Sequence, residues 1–214
     1  MGSFLLFPGQ TGLPVKLLCG VQAFHMPWIV PWCERRAAGL PKRKEWTDKM
    51  EELVTQIVVG ELGIICMPGC EEFVEKVEFY LKDWNRCPQG HVLNAVISRF
   101  QSGEAKALIK ETLRGKDIYI ITDCFNYSVT YKMYNMDVPM SPDDHFQDLK
   151  RIISAMAGKA KRITVIMPML YEGRQHRRSS RESLDCALAL QDLVNLGVSN
   201  IITCDAHDDR VQNA

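Results

Sequence analysis

Residues 161–205 read KRITVIMPMLYEGRQHRRSSRESLDCALALQDLVNLGVSNIITCD. An apolar run of strand length, Arg162 to Met167, leads into a loop holding Arg174, His176, Arg177, Arg178 and Arg181. Ser179 and Glu182 then have the spacing of a capping box for a helix through Leu184, Ala187, Leu188, Leu190, Leu193 and Val194, which ends at Gly197. Asn200 to Cys204 is a second strand. Strand, helix and strand in this order predict a parallel α/β sheet. Such sheets bind ligands beyond the carboxyl ends of their strands, where a helix start adds unpaired amides and a positive dipole end. The basic loop therefore predicts an anion site and a phosphate-rich substrate. One strand later, Asp205 and His207 lie two residues apart, on one face of an extended chain, and are candidates to share a metal ion.

The same alternation extends back to about Gly60. Gly63 to Met67 reads as a strand, and Pro68-Gly69 turns into a helix over Glu71 to Trp84 with Phe73, Val74, Val77, Tyr80 and Leu81 on one face. Val92 to Phe100 and Ala105 to Glu111 read as two strands joined by the turn Gln101-Ser102-Gly103, and Asp117 to Thr122 as a buried strand. Ser141-Pro142-Asp143-Asp144 supplies an N-cap, a first-turn proline and first-turn acids for a helix that runs through Phe146, Leu149, Ile152, Ile153 and Met156 to Gly158. The expectation is an α/β fold, a mainly parallel sheet flanked by helices, over residues 59–214.

Residues 1–58 form an extension of a different kind. Pro8, Pro14, Pro27, Trp28, Pro31, Trp32 and Pro41 interrupt every period, and Arg35, Arg36, Lys42, Arg43 and Lys44 form a basic cluster. No fold follows from this stretch; it reads as an irregular extension, with Met50 as a candidate start.

Acidic and basic residues balance at 26 each, so no global field favours nucleic acid or an anionic membrane, and any positive patch is local. The apolar N-terminus lacks the positive n-region of a signal peptide, and no run reaches the length of a membrane span. The 8 cysteines show no C-x-x-C spacing and several fall in apolar patterns, which reads as reduced, buried residues of a cytoplasmic protein. His145 reads as a surface residue, and His25 and His91 fall in no motif.

The segments RFQSGEAKALIKETLRGKDIYII (99–121), SPDDHFQDLKRIISAM (141–156), 161–193 and NIITCDAHDDRVQNA (200–214) occur in an order that resembles the amino-terminal half of ribose-phosphate diphosphokinase, also called phosphoribosyl pyrophosphate synthetase. The Tyr-Glu-Gly-Arg-Gln-His loop is closer to its divergent bacterial branch. The resemblance implies a phosphoribosyltransferase-like domain and a reaction that moves the β,γ-diphosphoryl group of Mg·ATP to the C1 hydroxyl of ribose 5-phosphate. It implies that Arg174 and Gln175 contact ATP, and that Asp205 and His207 bind the Mg²⁺ that accompanies it, His207 also touching the nucleotide. Phe100, Ser102 and Glu104 match a turn that in this family reaches across a subunit interface to a neighbour's ATP. Ser102 stands where the family has aspartate, which removes a charge-assisted contact. His176 likewise replaces an aspartate and makes the loop more basic.

The family's second domain carries the ribose-phosphate loop Asp-Asp-x-x-x-Thr-Gly-Gly-Thr, which these 214 residues do not contain. The expectation is a nucleotide half-site that works as a homo-oligomer or beside a full-length synthetase, with ribose 5-phosphate bound only if a second domain is supplied. The alternative is a non-catalytic regulatory or scaffold subunit. Purified as these residues alone, the chain is expected to show little or no diphosphoryl transfer, because aligning both substrates supplies much of the rate. Turnover measured without a partner would refute this.

Overall fold

The computed structural model describes residues 4–8, 14–19, 59–85, 89–208 and 211. Met50, His25, the basic cluster at 35–44 and Asp209 lie outside them.

The strands are β1 (Phe4–Pro8), β2 (Pro14–Cys19), β3 (Leu62–Cys66), β4 (Ala95–Arg99), β5 (Ala105–Ile109), β6 (Asp117–Ile121), β7 (Thr130–Met133), β8 (Met136–Pro139), β9 (Arg162–Ile166) and β10 (Asn200–Thr203). The helices are α1 (Glu71–Asn85), α2 (Pro142–Met156) and α3 (Asp185–Asn195). A six-stranded sheet has the order β1-β2-β10-β9-β6-β3, in which β3, β6, β9, β10 and β2 run parallel and β1 is antiparallel at the edge. Two antiparallel hairpins, β4-β5 and β7-β8, stand apart from it.

Residues buried on both sheet faces explain the continuous apolar runs of the central strands. Ile65, Ile118, Ile120, Ile163, Val165 and Ile201 pack with Leu149, Ile152, Ile153 and Met156 of α2 and Leu190 and Leu193 of α3. The opposite face is smaller: Ile64 and Ile121 meet Cys70 and Val74, with Val77 and Leu81 of α1 alongside. At the amino end of the neighbouring strands the charged pair Asp117–Arg162 lies in register, Arg162 donating from two nitrogens to one carboxylate.

Several expectations need correction. Only Val74, Val77 and Leu81 of the five apolar residues on α1 turn to the sheet; Phe73 and Tyr80 are exposed, because the sheet offers this helix only the small cluster of Ile64, Cys66, Ile121 and Ile166. Val92 makes one bridge to Ile64, and the strand proper begins at Ala95. On α3 the buried residues are Cys186, Ala189, Leu190 and Leu193, and Leu188 is exposed. Ser179 and Glu182 do bond to each other, but they close a loop turn, and the helix starts three residues later with no side-chain cap. Within the stretch expected to be irregular, β1 and β2 form a hairpin whose prolines Pro8 and Pro14 pair at its end, a position where a missing amide costs little.

His145 is buried, not exposed, with Nε2 2.9 Å from the carbonyl of Asn126. Of the five cysteines whose side chains are described, four are sheltered, and burial pushes the thiols of Cys66 and Cys186 to about 11 and those of Cys70 and Cys124 to about 12. They stay protonated at neutral pH and are poor nucleophiles. Cys204 is the exception, being exposed.

The start of α2 follows the sequence expectation closely. Ser141 Oγ accepts from the amide of Asp144 at 3.1 Å, and Asp144 Oδ2 accepts from the amide of Ser141 at 3.0 Å. Removing one side of this box by Ser141→Ala should cost about 1 kcal/mol. The check is a fall in the urea midpoint at unchanged denaturant slope.

Candidate functional site

The loop after β9 is tied to the end of β10 by main-chain bonds that continue the sheet past its last strand residues. Pro168 O accepts from the amides of Cys204 (3.0 Å) and Asp205 (2.8 Å), and Leu170 N–H donates to Asp205 O at 3.1 Å. Met169 and Asp205 form a parallel bridge. This seam places the 170–175 turn beside Asp205 and His207, although about thirty residues separate them in the chain.

The turn itself is tight. Gly173 N–H donates to Leu170 O, and a Cβ at Gly173 would lie 3.1 Å from that oxygen. Glu172 holds a left-handed backbone at φ 55°, and its carbonyl accepts from Gln175 N–H. Arg174 consequently projects outward, exposed and without an ion-pair or hydrogen-bond partner among the described residues.

Arg174, Asp205 and His207 line one cleft of about 580 Å³ at the carboxyl edge of the sheet, together with Phe125, Tyr127, Asp143, Met169, Tyr171 and Glu172. Gln175 does not line it. Its side-chain amide donates to Ser183 O at 2.8 Å and so fastens the basic loop instead. Phe100, Ser102 and Glu104 sit on the β4-β5 turn and are not in this cleft either; Ser102 Oγ donates to Glu104 Oε2 at 2.9 Å, and Phe100 is exposed. His176 turns away from the loop's outer face, with Nδ1 3.2 Å from Gly173 O and Nε2 3.8 Å from Asp208, so its ring faces a carboxylate and not the cleft. A hollow of similar size, about 610 Å³, lies among β5, α2 and α3, but its charged residues Lys150 and Arg151 are ion-paired to Asp192 and Asp148, and no site motif reaches it.

The aromatic wall was not expected from the sequence. Phe125 and Tyr127 belong to a loop set by local turns: Asp123 Oδ1 accepts from Phe125 N–H and Asn126 Oδ1 from Ser128 N–H, both at 3.0 Å. Asp and Asn two residues before the bonded amide are the available signal. Tyr171 stacks on Phe146 with centroids 4.2 Å apart, and its hydroxyl donates to Asp143 at 2.7 Å.

The model of the N-terminal domain of ribose phosphate pyrophosphokinase matches residues 62–197, more than half of the chain. The chain belongs to this family. Among curated relatives, ribose-phosphate pyrophosphokinase B of Dictyostelium discoideum is 28% identical over 133 residues, which are 61% of this chain and 36% of the relative. A Vibrio vulnificus ribose-phosphate pyrophosphokinase is 30% identical over 122 residues, 56% of this chain and 34% of the relative. The chain thus spans about a third of the length of these relatives. The crystal structure of phosphoribosylpyrophosphate synthetase from Mycobacterium smegmatis superposes with a TM-score of 0.58 at 22% identity, covering 72% of this chain and 45% of that one, which establishes a shared fold.

In this ribose phosphate pyrophosphokinase domain the donor set of the cleft fits a magnesium ion that arrives with phosphate. The described residues contain no group of three His, Cys, Asp or Glu able to hold a metal, so they build no cage by themselves. Asp205 does offer an exposed carboxylate without a side-chain partner among the described residues, and Mg²⁺ is commonly held by one or two carboxylates plus substrate oxygens. No described helix is long and apolar enough to cross a membrane.

Negative charge is crowded on one side of the cleft. Burial, and then the carboxylates of Asp185 and Asp143, raise the Glu172 carboxyl above the ordinary glutamate value. Burial and the Asp143 contact also keep the Tyr171 hydroxyl protonated well above the usual tyrosine range. A carboxyl whose folded value is raised binds more protons in the folded chain, so stability falls as pH rises from the ordinary glutamate value through the raised one. Glu172→Gln should therefore raise the Tm at neutral pH and flatten its decline from acid to neutral. Identical pH slopes for the two proteins would refute this assignment.

Proposed function

We propose that the cleft binds Mg·ATP and that the domain is the nucleotide-binding half of a ribose-phosphate diphosphokinase, which transfers diphosphate to ribose 5-phosphate and so makes phosphoribosyl pyrophosphate for nucleotide biosynthesis. The observation that carries this reading is the convergence of Arg174, Asp205 and His207 on one cleft at the carboxyl edge of the sheet.

Each residue has a defined task. The planar Arg174 guanidinium, unpaired among the described residues, is suited to hold phosphate oxygens and to keep the diphosphoryl group in line with the attacking hydroxyl. Asp205 would hold Mg²⁺, with His207 as a weaker ligand or a nucleotide contact. Bound Mg²⁺ supplies neutralisation of the charge on the transferring group. Gln175 acts at one remove, by shaping the loop that presents Arg174. Phe100, Ser102 and Glu104 reach the nucleotide of a second copy, which makes the working form an oligomer; as a neutral residue, Ser102 directs its hydroxyl to Glu104 and so orients that carboxylate.

Calorimetry of Mg·ATP with the purified chain tests this. Replacing Arg174 and His207 together by alanine should weaken binding on the order of a hundredfold, since each charge-assisted contact is worth roughly a tenfold or more. Unchanged affinity in the double variant would sink the reading. Binding without transfer, joined to a changed rate of full-length synthetase mixed with the chain, would assign the regulatory role instead.

A further inference from the structure

The turn that carries Phe100 and Glu104 is held from behind by a buried charge network. Asp148, on α2, is 2% exposed and accepts two short bonds, from Arg99 Nη2 and Arg151 Nη1, each at 2.6 Å. Arg99 is the last residue of β4. Its other terminal nitrogen donates to Gly103 O at 3.0 Å, across the turn. The main chain closes the same four residues: Gly103 N–H donates to Phe100 O, and Phe100 N–H to Glu104 O at 2.8 Å. The guanidinium lies 4.4 Å from the centroid of the Tyr131 ring, on β7 of the second hairpin. Gly103, at φ +89°, is so close to this hairpin that a Cβ would touch Met133 Sδ and Tyr131.

An exposed four-residue turn needs none of this to exist, because its two main-chain bonds already define it. A carboxylate buried to this degree is costly unless paired, and of the two arginines that pair with it, Arg99 also bonds the turn. The arrangement transmits the fixed position of α2 to the tip of a hairpin that lies outside the main sheet.

We infer that Asp148 and Tyr131 are positioning residues, which lock the Arg99 guanidinium from the helix side and the hairpin side and so hold the Phe100–Glu104 turn ready to engage nucleotide bound by a second copy of this chain. The inference rests on the nucleotide reading above. It adds that nucleotide affinity is set partly by two side chains that touch no nucleotide, one of them on the hairpin β7-β8. Tyr131 contributes a ring face to the cation, a contact that a leucine cannot make.

The experiment uses the whole chain and two readouts. Amide hydrogen exchange at Gly103 and Phe100 reports the turn itself, and Mg·ATP calorimetry reports its consequence. Asp148→Asn, which keeps size, and Tyr131→Leu, which is peripheral to the core, should each speed exchange at these two amides about tenfold, leave the β6 amides unchanged, and weaken Mg·ATP about tenfold. Tyr131→Phe retains the ring and should behave as wild type, a rescue that loss of general packing would not show. If Phe100→Ala weakens nucleotide binding and the Asp148 and Tyr131 variants do not, the positioning role is overturned while the nucleotide reading stands. If wild type fails to bind Mg·ATP, or Phe100→Ala leaves binding intact, the reading of the turn fails and this inference with it.

Discussion

Parallel pairing of β9 between β6 and β10 is the constraint on which the site depends. Parallel strands end at the same edge, so the loop after β9 and the loop after β10 must emerge side by side. The pairing does not stop at the strands: the bonds of Pro168, Leu170 and Asp205 continue it and hold the two loops at main-chain distance. An arginine and a carboxylate that share no helix face and no hairpin thus line the same cleft. Crossover helices α2 and α3 satisfy the geometry of that pairing and bury one face of all its strands.

Helix α2 is the second organising element, and it works through polar residues. Along its first turns, His145 and Asp148 are both almost fully buried. His145 meets the carbonyl of Asn126 and steadies the loop that gives the cleft Phe125 and Tyr127. Asp148 meets Arg99 and steadies the β4-β5 turn. A helix whose apolar stripe is seated against the sheet can offer buried polar groups at its flanks as fixed points for less regular chain. Each of these polar groups is paired, as burial requires.

The acidic side of the cleft belongs to the same economy of charge. Burial, with Asp185 and Asp143 nearby, raises the Glu172 carboxyl, while Arg174 across the turn has no partner among the described residues. A site left with opposite charges held apart is suited to a ligand that brings both a cation and anionic groups. The ligand proposed for it, Mg·ATP, has that composition, and phosphate oxygens match the fork of an arginine.

Much of this was legible in the residues. The apolar runs Arg162–Ile166 and Asn200–Thr203, the capped start of α2 at Ser141 and the order of motifs around Arg174 and Asp205 determined the parallel α/β class and the family, and singled out Arg174, Asp205 and His207 of the residues that line the cleft. What only the tertiary structure decided was which polar residues are buried and which apolar ones are not. His145 and Asp148 carry the same one-dimensional signal as surface residues, and Phe73 and Tyr80 the same signal as core; Ser179 and Glu182 have cap spacing without a helix to cap. The hairpin β7-β8 and the aromatic wall gave no periodic signal at all. Periodicity records one face of one element, whereas burial depends on what other parts of the chain supply to cover it, and that is settled only when the strands have paired.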